Sequence, residues 1–153
     1  MKLYLETTVF NYYFDKDREG HKDVLRLFEA IKAGKFEAYA SRYVTEELGR
    51  AQESKKSKML SLVEKYEIIL LPFDEEAVKL ANVYIENNII PVSYRYDSTH
   101  IAIASVYGLD CVVSYNFKHI NRDKTRMFTK IINEENGYKE ISIFTAKEAL
   151  NDE

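Results

Sequence analysis

Short apolar runs alternate along the chain with longer segments in which apolar residues recur at helical spacing. The apolar runs have the length and composition of strands that are buried on both faces of a sheet. Five strands are predicted in this way: Lys2–Leu5, Phe36–Ala40, Glu67–Leu71, Cys111–Val113 and Glu140–Phe144. Strands separated by helical segments indicate an α/β fold, in which a central parallel sheet carries helices on both faces.

The segments between these strands carry the signals of amphipathic helices. The clearest periodicity lies in His21–Ala33, which Gly34 ends, and in Lys58–Tyr66. Ser41 and Asp74 are placed to cap the helices that follow them. Further helices are predicted from Asp97 to Gly108, from Phe128 to Ile132 and from Thr145 to Leu150, whereas Val9–Phe14 reads only as a compact aromatic stretch.

Four polar side chains stand where predicted strands end or where the following helices begin. Glu6 and Asn116 close strands, while Glu47 and Asp97 lie near the starts of helices. Right-handed crossovers place the carboxyl ends of parallel strands along one edge of the sheet, where ligands bind in such folds. We therefore expect these four side chains to converge on that edge.

Acidic residues gathered at one edge repel each other, so the cluster predicts a cation. Oxygen ligands of this kind suit Mg²⁺ or Mn²⁺, and such a metal supports phosphodiester hydrolysis. Three of the residues also have a purely structural interpretation: Asp97 as a helix N-cap worth about 1 kcal/mol, Glu47 as a solvated helix residue, and Asn116 as a turn residue. Glu6, directly after a buried strand, is the hardest to explain without a partner.

Composition places the chain in an ordinary class. Its 153 residues are 46% apolar and 31% charged, and 5 glycines and 2 prolines leave no sign of a linker, so one domain covering residues 1–153 is predicted. A single cysteine excludes an intramolecular disulfide and a multi-cysteine zinc site. The apolar run at the amino terminus is too short for a signal peptide or a membrane span, which predicts a cytoplasmic protein.

The net charge of −3 gives no overall electrostatic signature of nucleic-acid binding. Basic residues are nevertheless clustered in two places. The first is the segment from Lys118 to Lys130, with five basic residues and one acid, and the second comprises Arg50, Lys55, Lys56 and Lys58 around Glu53. Most charge runs of this kind are solvated faces, and that is the favoured interpretation of each cluster.

Four stretches together resemble the PIN-domain family, and within it the bacterial and archaeal VapC-like toxins and their relatives. The opening motif is YLETTVFNYYF, and SRYVTEEL resembles the segment that supplies the family's second acid. The most specific match is YDSTHIAIASVYGLDCVVSYNFKHI, with Asp97 in the third acidic position, and GYKEISIFTAKEAL resembles the closing strand and helix. The resemblance extends over nearly the whole chain.

The resemblance implies a three-layer α/β/α sandwich and a Mg²⁺- or Mn²⁺-dependent ribonuclease, often neutralised by a small antitoxin and often dimeric. It implies a catalytic pocket formed by Glu6, Glu47, Asp97 and Asn116, with Glu6, Asp97 and Asn116 as metal ligands. The hydroxyl groups that would orient these ligands are Thr7, Thr8 and Ser114. The side chains expected to approach the RNA backbone are Lys118, Arg122, Lys124 and Arg126.

Two positions depart from the family's usual pattern, because Glu6 and Asn116 stand where aspartate is usual or common. The longer Glu6 moves its carboxylate by roughly one carbon–carbon bond, which matters to the strict octahedron of Mg²⁺. The amide of Asn116 brings no charge, which makes a second metal ion less favourable. A catalytically weak relative that binds RNA or a protein is therefore the alternative, and a receiver-like phosphorylation domain is a more distant one.

Overall fold

The computed structural model describes residues 1–152, and this part of the chain contains a five-stranded sheet in which all neighbouring strands are parallel. The strands are β1 (Lys2–Leu5), β2 (Glu37–Ser41), β3 (Ile69–Leu71), β4 (Cys111–Val113) and β5 (Ser142–Phe144). They lie side by side in the order β3-β2-β1-β4-β5. Leu3 in the central strand is opposite Ala38 of β2 and Cys111 of β4.

Helices cover both faces of this sheet. They are α1 (Thr7–Phe14), α2 (His21–Lys32), α3 (Arg42–Ala51), α4 (Glu53–Lys65), α5 (Glu75–Glu86), α6 (Arg95–Val106), α7 (Asp123–Glu135) and α8 (Ala146–Asn151). In one layer α1 packs on α2 and α3, and α2 packs on α8; in the other, α5 packs on α6 and α7. The predicted α/β/α sandwich with a central parallel sheet is confirmed.

The order of the strands reverses between β1 and β4. From β1 the chain moves outward to β2 and β3, then crosses to the other side of β1 to form β4 and β5. Ligands of open parallel sheets bind where the strand order reverses, outside the carboxyl ends of the two strands concerned. Glu6 follows β1 and Ser114 follows β4, so both lie at this position, and the Glu6 amide donates to the Val113 carbonyl at 3.1 Å.

The core is apolar on both sides of the sheet. Leu3, Tyr4 and Leu5 of β1 are fully buried, and α6 is buried continuously from Ser98 to Ser105, between the sheet and α5. Small residues on α6 allow this close approach. Within residues 1–152, no helix has the length and apolar character needed to cross a membrane.

Most predicted elements are present with shifted ends, and two differences matter for the site. The aromatic stretch is a helix, α1, because packing of Val9 and Phe10 into the core outweighs the modest helix propensity of aromatic and β-branched residues. The helix expected to begin near Asp97 begins at Arg95, and the Asp97 side chain makes no capping hydrogen bond. The N-cap interpretation of Asp97 is therefore wrong.

The other cap predictions are confirmed. Ser41 Oγ accepts a hydrogen bond from the Val44 amide at 3.3 Å, and Asp74 Oδ1 accepts one from the Ala77 amide at 3.1 Å. Gly108 follows α6 with φ +68°, a conformation that suits glycine at the end of a helix. The caps fix where α3 and α5 start, and the Ser41 cap sets the position of Glu47 on α3.

Candidate active site

Glu6 is a buried carboxylate at the junction of β1 and α1, with only 3% of the residue exposed. Its Oε1 atom accepts hydrogen bonds from Thr8 Oγ1 at 2.5 Å and from Ser114 Oγ at 2.7 Å. Burial raises the pKa of Glu6, and the nearby His100 and the two hydroxyl donors offset this only in part. No ion pair within residues 1–152 involves Glu6, so a cation at this edge would favour its charged form.

Glu47 lies across the edge from Glu6 and is held by two donors. Its Oε1 atom accepts from Thr7 Oγ1 at 2.5 Å and from His100 Nε2 at 2.7 Å. Burial alone would raise the pKa of Glu47, but the hydrogen bond and charge of His100, together with Thr7, hold it below its usual value. Glu47 is thus an ionised, oriented carboxylate and not a freely solvated helix residue.

His100 continues this network into the core. Its Nδ1 atom lies 2.7 Å from the Tyr4 hydroxyl, which lies 2.8 Å from Ser41 Oγ. Burial would lower the pKa of His100, but the hydrogen bond to Glu47 and the charges of the nearby carboxylates raise it overall. The raised pKa favours the protonated imidazole, whose charge offsets part of the negative charge at this edge.

Asp97 occupies the first turn of α6 and is paired with a second histidine. His119 Nδ1 donates to Asp97 Oδ2 at 3.0 Å, and the His119 ring lies against Tyr94 with 4.1 Å between the ring centroids. The positive end of a helix favours an anion in its first turn. Asp97 is thereby oriented, and its side chain remains 19% exposed toward solvent.

Asn116 has a structural role in this arrangement. Its Oδ1 atom accepts the His119 amide at 3.0 Å, and its carbonyl accepts the amides of Ile120 and Asn121 at 3.1 and 2.7 Å. The backbone amide of Asn116 donates to Ser114 Oγ at 3.0 Å. Asn116 therefore shapes the turn that brings His119 to Asp97, and its side-chain oxygen, the atom expected to face a metal, already has a partner.

The three carboxylates share one geometric property. In each, a single oxygen takes all of the side-chain hydrogen bonds: Oε1 in Glu6 and Glu47, and Oδ2 in Asp97. The second oxygen of each has no hydrogen-bond partner in the described part of the chain. Fixed carboxylates with one unoccupied oxygen suit a divalent cation that keeps several of its waters.

The protein does not build a closed metal cage, however. Among residues 1–152, no three histidine, cysteine, aspartate or glutamate side chains come close enough together to hold an ion. Mg²⁺ is commonly held by one or two carboxylates, with waters and substrate phosphate completing its octahedron. The donor chemistry therefore fits Mg²⁺ or Mn²⁺ with water in several positions, and one or two of Glu6, Glu47 and Asp97 would hold it directly.

The basic residues expected near RNA differ in whether their side chains are free to contact a ligand or are already bonded within the protein. Arg122 donates to the Ile89 carbonyl at 2.7 Å and to Thr125 Oγ1 at 3.0 Å, and Arg126 bonds Asn121 and Asp123. Lys118 lies over the Tyr94 ring at 5.0 Å. Lys124 is exposed. Two of the four side chains thus stabilise the loop before α7, while the two lysines project toward solvent.

Sequence reasoning missed the two histidines and Tyr4. His100 is not among the residues predicted for the site, but it binds Glu47, which is 53 residues away. The available signal was its position three residues after Asp97, which places both side chains on one face of α6. His119 carries a similar signal, because it follows Asn116 by three residues in a turn.

Comparisons with known proteins agree with this geometry. The family model described as PIN domain matches residues 3–125. VapBC2 from Rickettsia felis, solved bound to a DNA fragment from its promoter, is similar with a TM-score of 0.59 and 17% identity, covering 95% of this chain and 98% of that one. FitAB bound to the IR36 DNA fragment has a TM-score of 0.58 and 15% identity, covering 94% of each chain. No curated protein matches the chain.

At these identities the solved structures establish the fold alone, and the family model carries the assignment. PIN domains are generally nucleases, and nucleases of this kind generally use divalent metal ions. The matched residues include most of β1, the acidic residues at the sheet edge, α6 and β4. The chain belongs to the PIN-domain family.

Proposed function

We propose that this protein is a divalent-metal-dependent endoribonuclease that hydrolyses RNA phosphodiester bonds. The observation that carries the proposal is the set of three oriented carboxylates, Glu6, Glu47 and Asp97, at the point where the strand order reverses. A divalent metal ion supplies a more acidic water and stabilises charge on a phosphate oxygen. Carboxylates fixed in advance, each with an open oxygen, match this requirement.

Each residue has a distinct role in this proposal. Glu6 and Asp97 hold the metal directly or through water, and Glu47 helps to hold it or positions the attacking water. Asn116 completes the site by fixing the His119 turn. Thr7, Thr8 and Ser114 orient the carboxylates through their hydroxyl groups. The lysines expected to meet the RNA backbone are Lys118 and Lys124.

We further propose that the protein is the toxin of a toxin-antitoxin pair that acts in the cytoplasm, as a single domain and with the capacity to form homodimers. The support is that the similar chains come from structures of VapBC2 and of FitAB, and that each of these chains is matched over nearly its whole length. A small antitoxin would then be its protein partner.

The alternative is a catalytically weak PIN relative that binds RNA or a protein. Two observations favour it: the Asn116 side-chain oxygen is already engaged by the His119 amide, and no closed metal cage exists among residues 1–152. Titration calorimetry with Mn²⁺ separates the two functions, because a pure binding module has no need to take up metal at the acidic edge.

The deciding experiment is cleavage of a panel of structured and single-stranded RNAs with Mg²⁺, Mn²⁺ or EDTA. Asp97→Asn serves as the paired variant, since it keeps the side-chain shape and an oxygen for His119. We expect metal-dependent cleavage by the wild type and none by Asp97→Asn, with little change in the melting temperature.

Cleavage by Asp97→Asn at the wild-type rate would show that the metal assignment is wrong. A folded protein that neither cleaves nor takes up Mn²⁺ would establish the binding module instead. A protein that takes up Mn²⁺ without cleaving the panel would keep the metal site and exclude general ribonuclease activity.

A further inference from the structure

A basic cleft of about 380 Å³ lies between the end of α1 and the start of α4. Its main lining residues are Asn11, Phe14, Arg18, Gln52, Lys55 and Lys58. The cleft contains none of the residues assigned above to the active site. Three of its lining residues are cationic, and Asp15 is the one acid among them.

The two lysines of this cleft have no carboxylate partner within residues 1–152. Lys55 is half-buried, and its Nζ atom lies 3.4 Å from Asn11 Oδ1, a neutral acceptor. Lys58 Nζ lies 5.8 Å from the centre of the Phe14 ring. Arg18, by contrast, pairs with Asp15 at 3.1 Å. Positive charge at Lys55 and Lys58 is thus left for an anion from outside the chain.

One wall of the cleft is the end of α1, a helix that begins at Thr7, and the other wall is the start of α4, which directly follows α3 with Glu47. Thr7, at the start of α1, donates a hydrogen bond to Glu47 on α3, so the two helices meet at the active site. From this point α1 leads to one wall of the cleft, and α3 leads into α4 at the other wall. Asn11 lies one turn after Thr7 on the same face of α1. From Thr7 to Phe14 the helix advances by about 10 Å. A strand that leaves the carboxylates along α1 therefore reaches Lys55 and Lys58.

We infer that this cleft is a second phosphate-binding subsite, which holds the backbone of single-stranded RNA about 10 Å along α1 from the end of the helix at Thr7. The inference rests on the proposed function and deepens it. It adds a second group of cations to Lys118 and Lys124 of the segment after β4, where Arg122 and Arg126 are engaged in internal contacts. The unpaired cations and the polar Asn11 and Gln52 favour a phosphate backbone over an apolar protein segment.

The test compares the salt dependence of RNA binding in matched variants. All proteins carry Asp97→Asn to prevent cleavage, and fluorescence anisotropy measures binding of a labelled single-stranded RNA in Mg²⁺ buffer from low to high salt. The test variant is Lys55→Gln/Lys58→Gln. The control, Lys65→Gln/Lys79→Gln, removes the same charge from exposed positions outside the cleft. A third protein, Lys55→Arg/Lys58→Arg, retains the charge.

Each phosphate contact to a single strand contributes about 0.7 to the slope of log K against log salt. We expect the test variant to lower the slope by roughly 1.4 and the affinity at 0.1 M salt by about 25-fold. The control and the arginine protein should keep the parent's slope, and all should keep its melting temperature. These effects would establish the subsite.

The possible failures are distinguishable. If the wild type neither binds nor cleaves any RNA, the proposed function fails first. If it binds RNA but the test variant has the same slope as the control, the subsite is refuted while the nuclease remains, and the cleft becomes a candidate surface for a protein. Loss of binding in the arginine protein would also refute a role for charge.

Discussion

The buried hydrogen bond from Ser114 to Glu6 leads to a prediction about stability. Ser114 is fully buried, and its hydroxyl donates to Glu6 Oε1 at 2.7 Å. Ser114→Ala removes this donor while leaving the backbone of the turn in place. We expect the variant to lose stability and to raise the pKa of Glu6 further, because the charged carboxylate then keeps only the Thr8 donor in the same buried position.

The size of the loss depends on the charge of Glu6. A hydrogen bond to a neutral group contributes about 0.5–1.5 kcal/mol, and one to a charged group about 1.5–3 kcal/mol. Because burial holds the pKa of Glu6 above its unfolded value, the folded state carries the extra proton at mildly acidic pH. The stability that this proton contributes is complete below the pKa of Glu6 in the unfolded chain. It is lost as the pH rises through the pKa of Glu6 in the folded protein. The cost of Ser114→Ala should therefore increase with pH.

Urea denaturation in EDTA over a series of pH values measures this cost without a contribution from bound metal. Ser61→Ala is a suitable control, because Ser61 is exposed and donates only to the Ser57 carbonyl of its own helix. In a Glu6→Gln background, the cost of Ser114→Ala should stay near the neutral value at every pH. A cost that is independent of pH in the wild-type background would refute the idea that Ser114 stabilises a charged Glu6.

Further perturbations test other contacts. His100→Gln leaves Glu47 without its charged partner and should cost on the order of 3 kcal/mol in urea denaturation, so a loss below 1 kcal/mol would contradict the ion pair. Gly20→Ala places a Cβ 2.8 Å from the Tyr115 ring and should cost about 1–3 kcal/mol, while Gly49→Ala, which meets a flexible lysine, should not destabilise in the same assay. Mg²⁺ at 100 times its dissociation constant should add about 2.7 kcal/mol, and a melting temperature insensitive to EDTA would exclude such binding.

The sheet was predictable because its strands are buried on both faces and thus nearly free of polar residues. Cys111–Val113 reads as a strand from sequence and forms β4 in the structure. Helix α1 was not predictable from local pattern, since its aromatic residues have no strong helical preference and Phe10 is fixed by packing on Phe28 of α2. Predicting α1 would have required knowing that α2 packs against it.

The residues of the candidate site also differ in whether the local sequence indicates them. Glu6 could be proposed from the sequence because an acid directly after a buried strand is hard to explain without a partner, and Asp97 because it stands near the start of the helix that precedes β4. His100 was not visible, because its partners Glu47 and Tyr4 are distant in sequence and meet it only after the sheet and α6 have packed. Networks between elements depend on tertiary geometry, which local pattern does not contain.

The neutral side chain of Asn116 affects the balance of charge at the acidic edge of the sheet. An aspartate in its place would accept the same amide of His119, so the turn itself does not require the neutral side chain. What the amide changes is charge: a further carboxylate would add repulsion at an edge where Glu6 already has a raised pKa. In the proposed nuclease, with Asn116 neutral and His100 beside Glu47, a single divalent ion would be enough to balance Glu6 and Asp97. The neutral residue in the fourth position therefore favours a site for one metal ion.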